Sequence, residues 1–289
     1  MTIVVTGATG QLGRLVVESL LERGAPPADI VATGRAVDRI ADLADRGVQV
    51  RQASYDDPAS LAAAFAGADR VLLVSSDAVG QRLAQHQNAI DAAKAAGAEL
   101  IAYTSIANAD RGEMMLAKDH GATEQAVIAS GLPYTLLRNG WYLENYAGQI
   151  PTYLEHGAVL GSAGQGRVSA ATRADLADAA AAVLLTEQPR PVYELGGDTG
   201  FTLAELAAAV ADASGREVTY QDLPAEQYTQ ILVGAGVPAP FAEVLADSDL
   251  GLGRGELEVT SGDLSALLGR PTTPMPEAVR VAVGALTGA

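Results

Sequence analysis

The feature that most constrains this chain is an alternation that fills its first half. Short β-branched runs are followed, again and again, by longer Ala- and Leu-rich amphipathic runs. Strands are expected at 2–6, 30–33, 48–52, 71–74, 100–103 and 134–137, with helices between them at 12–22, 38–44, 60–65, 81–96 and 113–130. Strands that alternate with helices are joined by right-handed crossovers and therefore build a parallel sheet. The runs Ile3-Val4-Val5 and Val71-Leu72-Leu73-Val74 are apolar throughout. That is the pattern of strands covered by helices on both faces. The expected class is α/β, a doubly wound parallel sheet.

The pattern changes near residue 150. Segment 157–167 is Gly-rich and reads as a loop. Thr172 with Asp175 resembles a capping box ahead of a helix at 176–185, and Thr202 with Glu205 is a better one ahead of 203–213. Residues 192–195 read as one more strand, returning to the sheet. Residues 223–268 read as mainly helical, broken at Gly234, Gly236, Pro238 and Pro240. The expected division is a cofactor unit at 1–150 and a smaller, mainly helical substrate-binding portion at 151–289.

Composition narrows the function. Lys plus Arg total 19 and Asp plus Glu 35, a formal charge of −16. Nucleic-acid binding draws on Lys and Arg to neutralise phosphates, and no basic cluster stands out, so no direct nucleic-acid partner is expected. There is no cysteine, hence no disulfide, thiolate metal site or Cys nucleophile. The three histidines, His86, His120 and His156, have no ligand spacing, so no metal site is expected. The apolar run 179–185 falls far short of the roughly 18 residues of a membrane span. No basic segment followed by an apolar stretch opens the chain. A cytoplasmic protein without a membrane partner is the expectation, as a monomer or homodimer.

The informative motif is Thr6-Gly7-Ala8-Thr9-Gly10-Gln11-Leu12-Gly13. Three glycines follow the first strand directly and open the first helix. Gly7 permits the tight turn, Gly10 lets the backbone approach a pyrophosphate, and Gly13 lets helix and strand pack closely. The helix N-terminus then offers free N–H groups and partial positive charge to phosphates. Dinucleotide contacts are expected at Gly7, Thr9, Gly10, Gln11, Leu12 and Gly13. The second strand ends Thr33-Gly34-Arg35, with Arg39 one turn on. No carboxylate stands where one would bond a ribose 2′-hydroxyl, and a guanidinium there suits a 2′-phosphate. NADP(H) is expected over NAD(H). After the third strand, Asp56 is assigned to the adenine amino group and Asp57 to a helix cap. Ser75 and Ser76 are expected at the cofactor's middle, and Thr104, beside Ser105, near the nicotinamide ribose.

Further segments carry a family resemblance. These are Tyr103-Thr104-Ser105, Leu116-Ala117-Lys118-Asp119-His120 with Thr123-Glu124, and above all Tyr134-Thr135-Leu136-Leu137-Arg138-Asn139-Gly140-Trp141-Tyr142-Leu143-Glu144-Asn145. With the glycine turn, they resemble the NmrA-like atypical short-chain dehydrogenase/reductases, most of all the NAD(P)H:quinone oxidoreductase type 2 and triphenylmethane reductase branch. The match runs on through 164–177 and Gly236-Val237-Pro238, so it covers nearly the whole chain. The resemblance implies an extended Rossmann fold with NADPH at the glycine turn. It also implies a substrate cleft between the sheet's C-terminal edge and the C-terminal helices. The loop of Asn139, Gly140, Trp141 and Tyr142 is then placed against the nicotinamide and the substrate.

Standard short-chain reductases protonate a carbonyl with Tyr-x-x-x-Lys. Here Lys118 has Met114 four residues earlier, and the one Tyr with a basic residue at that spacing, Tyr134 with Arg138, lies on an expected strand. A thioether donates no proton, which disfavours ketone reduction. Quinones and cationic dyes need no dedicated strong acid, because the hydride produces a delocalised phenolate or a neutral product. Holding such an acceptor roughly 3–3.5 Å from the nicotinamide carbon supplies much of the effect. The expected activity is NADPH-dependent hydride transfer to a quinone or similar flat conjugated small molecule. The alternative is a non-catalytic NADP(H)-sensing regulator that binds a protein partner, since NmrA-like proteins include such regulators. His120 is a candidate donor to the acceptor or to the ribose, or a packing residue. Lys118 contacts the ribose or is a solvated charge. Trp141, Tyr142 and Tyr146 stack on a flat acceptor or anchor the loop. Ser162 lacks a Gly-x-Ser-x-Gly context, so no hydrolase is read. Replacing Arg35→Asp is expected to weaken NADPH relative to NADH by about tenfold or more. Titration of both cofactors against the variant checks this, and equal loss for both would remove Arg35 as the selector.

Overall fold

The computed structural model describes residues 1–78 and 80–286. The first half reads β1 (Ile3–Val5), α1 (Gln11–Glu22), β2 (Ile30–Gly34), α2 (Ala41–Asp45), β3 (Gln49–Gln52), α3 (Pro58–Ala64), β4 (Arg70–Leu73), α4 (Arg82–Ala95), β5 (Leu100–Ile106), α5 (Met115–Ala129) and β6 (Tyr134–Asn139). It continues with α6 (Leu143–Ala147), α7 (Ile150–His156), β7 (Ala158–Gly161), α8 (Arg173–Leu185), β8 (Val192–Leu195), α9 (Leu203–Ser214) and β9 (Thr219–Asp222). The last helices are α10 (Ala225–Gly234), α11 (Ala239–Gly253), α12 (Asp263–Leu268) and α13 (Met275–Leu286).

The main sheet has seven strands in the order β3-β2-β1-β4-β5-β6-β8, all parallel. The order runs outward from β1 in one direction and from β4 in the other. That reversal is a topological switch point, and in sheets of this kind ligands bind outside the carboxyl ends of the strands that flank it. Strand side chains alternate between the faces. Ile3 and Val5 join Leu12, Val16 and Leu20 of α1 and Leu176, Ala180 and Val183 of α8. Val4 turns the other way, toward Leu61, Phe65 and Ile90. This is the doubly wound Rossmann arrangement that the alternation predicts.

A third core, with Leu143, Ile150, Val159, Leu206, Val210, Leu252 and Val279, organises the C-terminal lobe. Ile106, Ala109, Met114 and Ala117, from the end of β5 and the start of α5, belong to it. The lobe therefore sits against the carboxyl end of the sheet. The cores do not follow one cut in the chain. α8 packs on α1, β8 pairs with β6, and α12 packs on α8, so residues well beyond 150 complete the sheet unit.

Several local expectations change. β5 runs to Ile106 and β6 to Asn139, beyond the expected ends at 103 and 137, and Ile106 lies opposite Asn139 in register. Polar residues at these ends resemble a loop, but Ser105 is satisfied inside the protein, its Oγ donating to Glu124 at 2.6 Å. The Gly-rich segment 157–167 contains β7, which pairs in parallel with β9 as a second sheet. Thr172 caps α8 through the Asp175 N–H, but the Asp175 carboxylate accepts from Thr273 N and pairs with Arg270 instead of closing a box. Thr202 and Glu205 form the full reciprocal box. Asp57 caps α3, accepting from the Ala59 and Ser60 N–H groups. Pro240 lies in the first turn of α11, where its missing N–H costs nothing, and is not a break.

One ion cluster ties the carboxyl end of the sheet together. Arg138 on β6 donates from Nε and Nη2 to the two oxygens of Glu124 on α5, at 2.9 and 2.8 Å. Its Nη1 reaches Glu194 on β8 at 3.0 Å and Asp110 at 2.9 Å. Burial opposes the charge on Arg138, but the hydrogen bonds it donates to Glu124 and Glu194 outweigh it and raise its pKa. Glu194 also accepts from the Asn108 N–H at 3.0 Å. Asn108 holds a left-handed backbone with φ 55° and donates to the carbonyls of Glu256 and Glu258 in the lobe. Removing one partner of a buried pair leaves an uncompensated charge. Glu124→Leu is expected to cost about 3–5 kcal/mol, read as a lower urea midpoint with an unchanged slope. A loss below about 1 kcal/mol would mean that Glu194 and Asp110 suffice to hold Arg138.

Candidate functional site

The glycine turn leaves β1 and enters α1 with little freedom. Gly7 has φ +61°, and a Cβ on Gly13 would stand 2.4 Å from the Gly7 carbonyl oxygen. Both positions exclude a side chain for internal reasons. Gly10 is exposed, and a Cβ there would lie 3.3 Å from the same oxygen. Gly10 caps α1 without any side-chain hydrogen bond. Among the described residues the N–H groups of Gln11, Leu12 and Gly13 find no acceptor. Three unsatisfied donors at a helix N-terminus form an anion site.

The predicted residues line up along the carboxyl edge of the sheet. Thr9 leans on the end of β2, where a Cβ on Gly34 would come within 2.5 Å of its methyl carbon. This close approach is why the position is a glycine. Arg35 follows directly. The guanidinium groups of Arg35 and Arg39 are exposed and make no ion pair or hydrogen bond among the described residues, in a chain of net charge −16. Asp56 is exposed and accepts from Gln85 Nε2 at 3.0 Å. On the other side of the turn, a Cβ on Gly7 would touch Val74 at the end of β4. Ser75 N donates to Thr104 Oγ1 at 2.8 Å, so buried Thr104 positions the Ser75–Ser76 turn. Ser76 is pinned twice from α4, its N–H to His86 Nε2 at 2.9 Å and its carbonyl by Arg82 Nε at 2.8 Å.

Asn139 closes the row at the end of β6. It is 4% exposed, and its Oδ1 has no hydrogen-bond partner among the described residues. A buried amide oxygen without a donor is costly, and a carboxamide N–H would satisfy it. Gly140 donates to the Leu195 carbonyl at 2.7 Å, and a Cβ on it would strike the Ser169 carbonyl at 2.6 Å. Its requirement is therefore packing. Trp141 is half-buried against the C-terminal core. Tyr142 lies under the Arg173 guanidinium, 4.4 Å from the ring centre. Burial pushes the Tyr142 hydroxyl pKa up, and the neighbouring Asn139 side chain opposes the shift. Tyr146 packs edge-on against Phe201.

α5 brings the remaining candidates. Lys118 is exposed, with no side-chain partner among the described residues. His120 is buried and its Nδ1 lies 2.8 Å from the Tyr103 hydroxyl. Burial drives the His120 pKa well below its ordinary value, with the Arg82 charge adding to the effect. His86 has no ligand spacing in the sequence. The structure buries it completely, and burial pushes its pKa down to about 3. An i, i+34 spacing between helices carries no local signal, which is why the pair His86 and His120 was illegible.

Met114 stands at the position of the ordinary acid and is wholly buried. Its Cγ and Sδ fill the space over Gly251 of α11, where an added Cβ would meet them. Glu256 accepts from the Glu113 and Met114 N–H groups at 2.8 and 3.0 Å, and Asp247 accepts from Met115 N at 2.6 Å. The lobe thus caps α5 and seals the thioether. Met114→Tyr would restore Tyr-x-x-x-Lys in sequence, yet it would overfill this contact. It is expected to cost about 1–3 kcal/mol and to create no ketone reductase. A stable variant that reduces simple ketones would show that the position opens to substrate.

Comparison with known proteins extends this picture. The family profile described as NAD(P)H-binding matches residues 7–187. Quinone oxidoreductase 2 of Escherichia coli (strain K12) is 48% identical over 278 residues, 96% of this chain and 97% of that protein. The solved structure of the E. coli NADPH-dependent quinone oxidoreductase complexed with NADPH superposes with a TM-score of 0.93 at 47% identity, over 99% of this chain and 100% of that one. The Citrobacter sp. triphenylmethane reductase structure gives 0.91 at 40% identity, over 98% and 100%. Among the described residues no helix is long and apolar enough to cross a membrane.

Proposed function

The chain belongs to the NAD(P)H-binding family, and from that premise we propose that it is an NADPH-dependent oxidoreductase passing hydride to a quinone or a similarly flat conjugated acceptor. One observation carries the acceptor class. The dinucleotide cradle is complete, while the position of the usual proton donor is a sealed methionine. Full-length likeness to reductases disfavours the regulator alternative.

The residues fit NADPH. The free N–H groups of Gln11, Leu12 and Gly13 receive the pyrophosphate, with Gly7, Thr9 and Gly10 shaping the approach. Arg35 takes the 2′-phosphate, since an unpaired guanidinium is pre-organised for it. Asp56 faces the adenine side. The backbone of Ser75 and Ser76, held by Thr104, lines the middle of the site, and Lys118 serves the ribose. The orphaned Asn139 oxygen takes the carboxamide, with Gly140 and Trp141 shaping that end. When bound, the nicotinamide supplies the hydride, and the protein supplies orientation and shielding. His120 donates a hydrogen bond to the acceptor oxygen, and Tyr142 walls the acceptor.

The decisive experiment follows NADPH oxidation at 340 nm with a panel of quinones and one triarylmethane dye, beside NADH. Turnover specific to NADPH is expected with several acceptors. Gly10→Val is expected to abolish NADPH binding with the fold retained, because its side chain occupies the approach to the free N–H groups. Normal binding by that variant would place the cofactor elsewhere, and a protein that binds NADP(H) without reducing any acceptor would be a sensor.

A further inference from the structure

Ser76 is held by α4 at each of its polar atoms. Its carbonyl accepts from Arg82 Nε at 2.8 Å, its N–H donates to His86 Nε2 at 2.9 Å, and its hydroxyl donates to Gln85 Oε1 at 2.6 Å. A backbone N–H can only donate, so His86 accepts at Nε2 and carries its proton on Nδ1, toward Thr123 Oγ1 at 3.0 Å. The far ends of the Arg82 and His86 arms thus stand on α5, where Arg82 pairs with Asp119 at 2.7 Å. The Gln85 arm runs the other way. Its Nε2 donates to Asp56 Oδ1 at 3.0 Å, in the loop after β3. An ionised carboxylate only accepts, so the amide has one orientation, nitrogen to Asp56 and oxygen to the Ser76 hydroxyl. That hydroxyl, with its proton given to Gln85, accepts from the Ala78 N–H at 3.1 Å. Three residues further along α4, Asn88 Nδ2 donates to the Tyr55 carbonyl at 2.8 Å. Tyr55 in turn donates its hydroxyl proton to the Val74 carbonyl at 2.6 Å. α4 therefore grips two loops at once, the one that carries Asp56 and the one that carries Ser75 and Ser76.

We propose that Gln85 is a positioning residue for the adenine end of the dinucleotide, holding Asp56 by one oxygen so that the other is a fixed acceptor for the adenine amino group. This role rests on the placement of Asp56 beside adenine proposed above. Among the described residues Gln85 is the one side chain bonded to the Asp56 carboxylate, and Oδ2 has no partner. Asp56 is exposed. An exposed carboxylate on a loop turns freely, and ordering it when a ligand arrives costs entropy. A carboxylate already tied to a helix meets that cost on folding. The tie is also neutral. An arginine in the place of Gln85 would cancel the charge, whereas an amide orders the carboxylate and leaves its charge for the ligand. The selected ligand is a dinucleotide with a 6-aminopurine base. A purine with a carbonyl oxygen at that position would set one acceptor against another, which is repulsive. Because the same amide holds Ser76, the adenine acceptor and the turn at the cofactor's middle are kept at one separation.

The test compares NADPH with its hypoxanthine analogue, in which a carbonyl oxygen replaces the amino group, by fluorescence titration of the full-length protein. The unaltered chain is expected to bind NADPH about tenfold more tightly than the analogue, and Asp56→Ala to bind the two alike. Gln85→Met removes both hydrogen bonds at similar size and is expected to cut the preference to about threefold or less. Gln85→Glu keeps an oxygen for the Ser76 hydroxyl but turns a second carboxylate on Asp56, and is expected to lose the preference as well. In the Asp56→Ala background, Gln85→Met is expected to leave the ratio where it stands, because the two residues act as one unit. A Gln85→Met variant that binds both dinucleotides more weakly by a common factor, with the preference intact, would make Gln85 a structural support and overturn the proposal. A preference retained in Gln85→Glu would do the same. A ratio near one in the unaltered chain would show that Asp56 does not meet the amino group, and the adenine reading and the proposal would fall together.

Discussion

The fork of Arg138 on Glu124 is the contact on which the working end of this molecule depends. It joins β6 to α5, and through Glu194 it joins β8, the strand that arrives last in the sheet. Glu194 passes the constraint to Asn108, and Asn108 passes it to the carbonyls of Glu256 and Glu258 in the C-terminal lobe. The Glu256 carboxylate then caps the start of α5. Sheet, helix and lobe are thereby closed into one loop of hydrogen bonds around the end of β6, where Asn139 points. A buried guanidinium is expensive to desolvate. Its use here fits a site in which strand ends must be held at fixed separation, because bidentate geometry fixes angle as well as distance.

The same closure decides the chemistry. The lobe that caps α5 also buries Met114 beneath Gly251. A residue that could have faced the acceptor has become part of the lobe's core, so a proton donor at that position is excluded by packing as well as by its side-chain type. What remains are donors of hydrogen bonds, orphaned acceptors and aromatic surface. That inventory suits an acceptor whose reduced form spreads its own charge.

Charge follows a similar local logic. A protein at −16 has no general attraction for an anionic dinucleotide. The N–H groups at the start of α1 and the two arginines after β2, unpaired among the described residues, offer attraction along one line at the carboxyl edge of the sheet. Arg14, on the same helix, is by contrast occupied with Glu18 and Asp42. Local satisfaction, not net charge, separates the arginines available to a ligand from those that hold structure.

Much of this was legible in the residues alone. Periodicity specified a parallel α/β sheet, because continuous apolar runs and amphipathic helices have few other ways to bury their surfaces. The glycine turn was equally plain, since φ at Gly7 and the contact at Gly13 leave no alternative residue. The Asp57 cap and the Thr202–Glu205 box are local hydrogen-bond patterns and were read as such. Contacts between distant segments were not legible. Nothing local to 158–161 announces a strand, because its partner lies at 219–222. Asp175 was read as closing a box, but its carboxylate serves Thr273 and Arg270. His86 looked incidental until folding set it between Ser76 and Thr123. Periodicity and backbone sterics act within a few residues and are written in the sequence. The tautomer of a histidine, the partner of a buried arginine and the sealing of a methionine depend on which segments meet, and only the tertiary structure decided them.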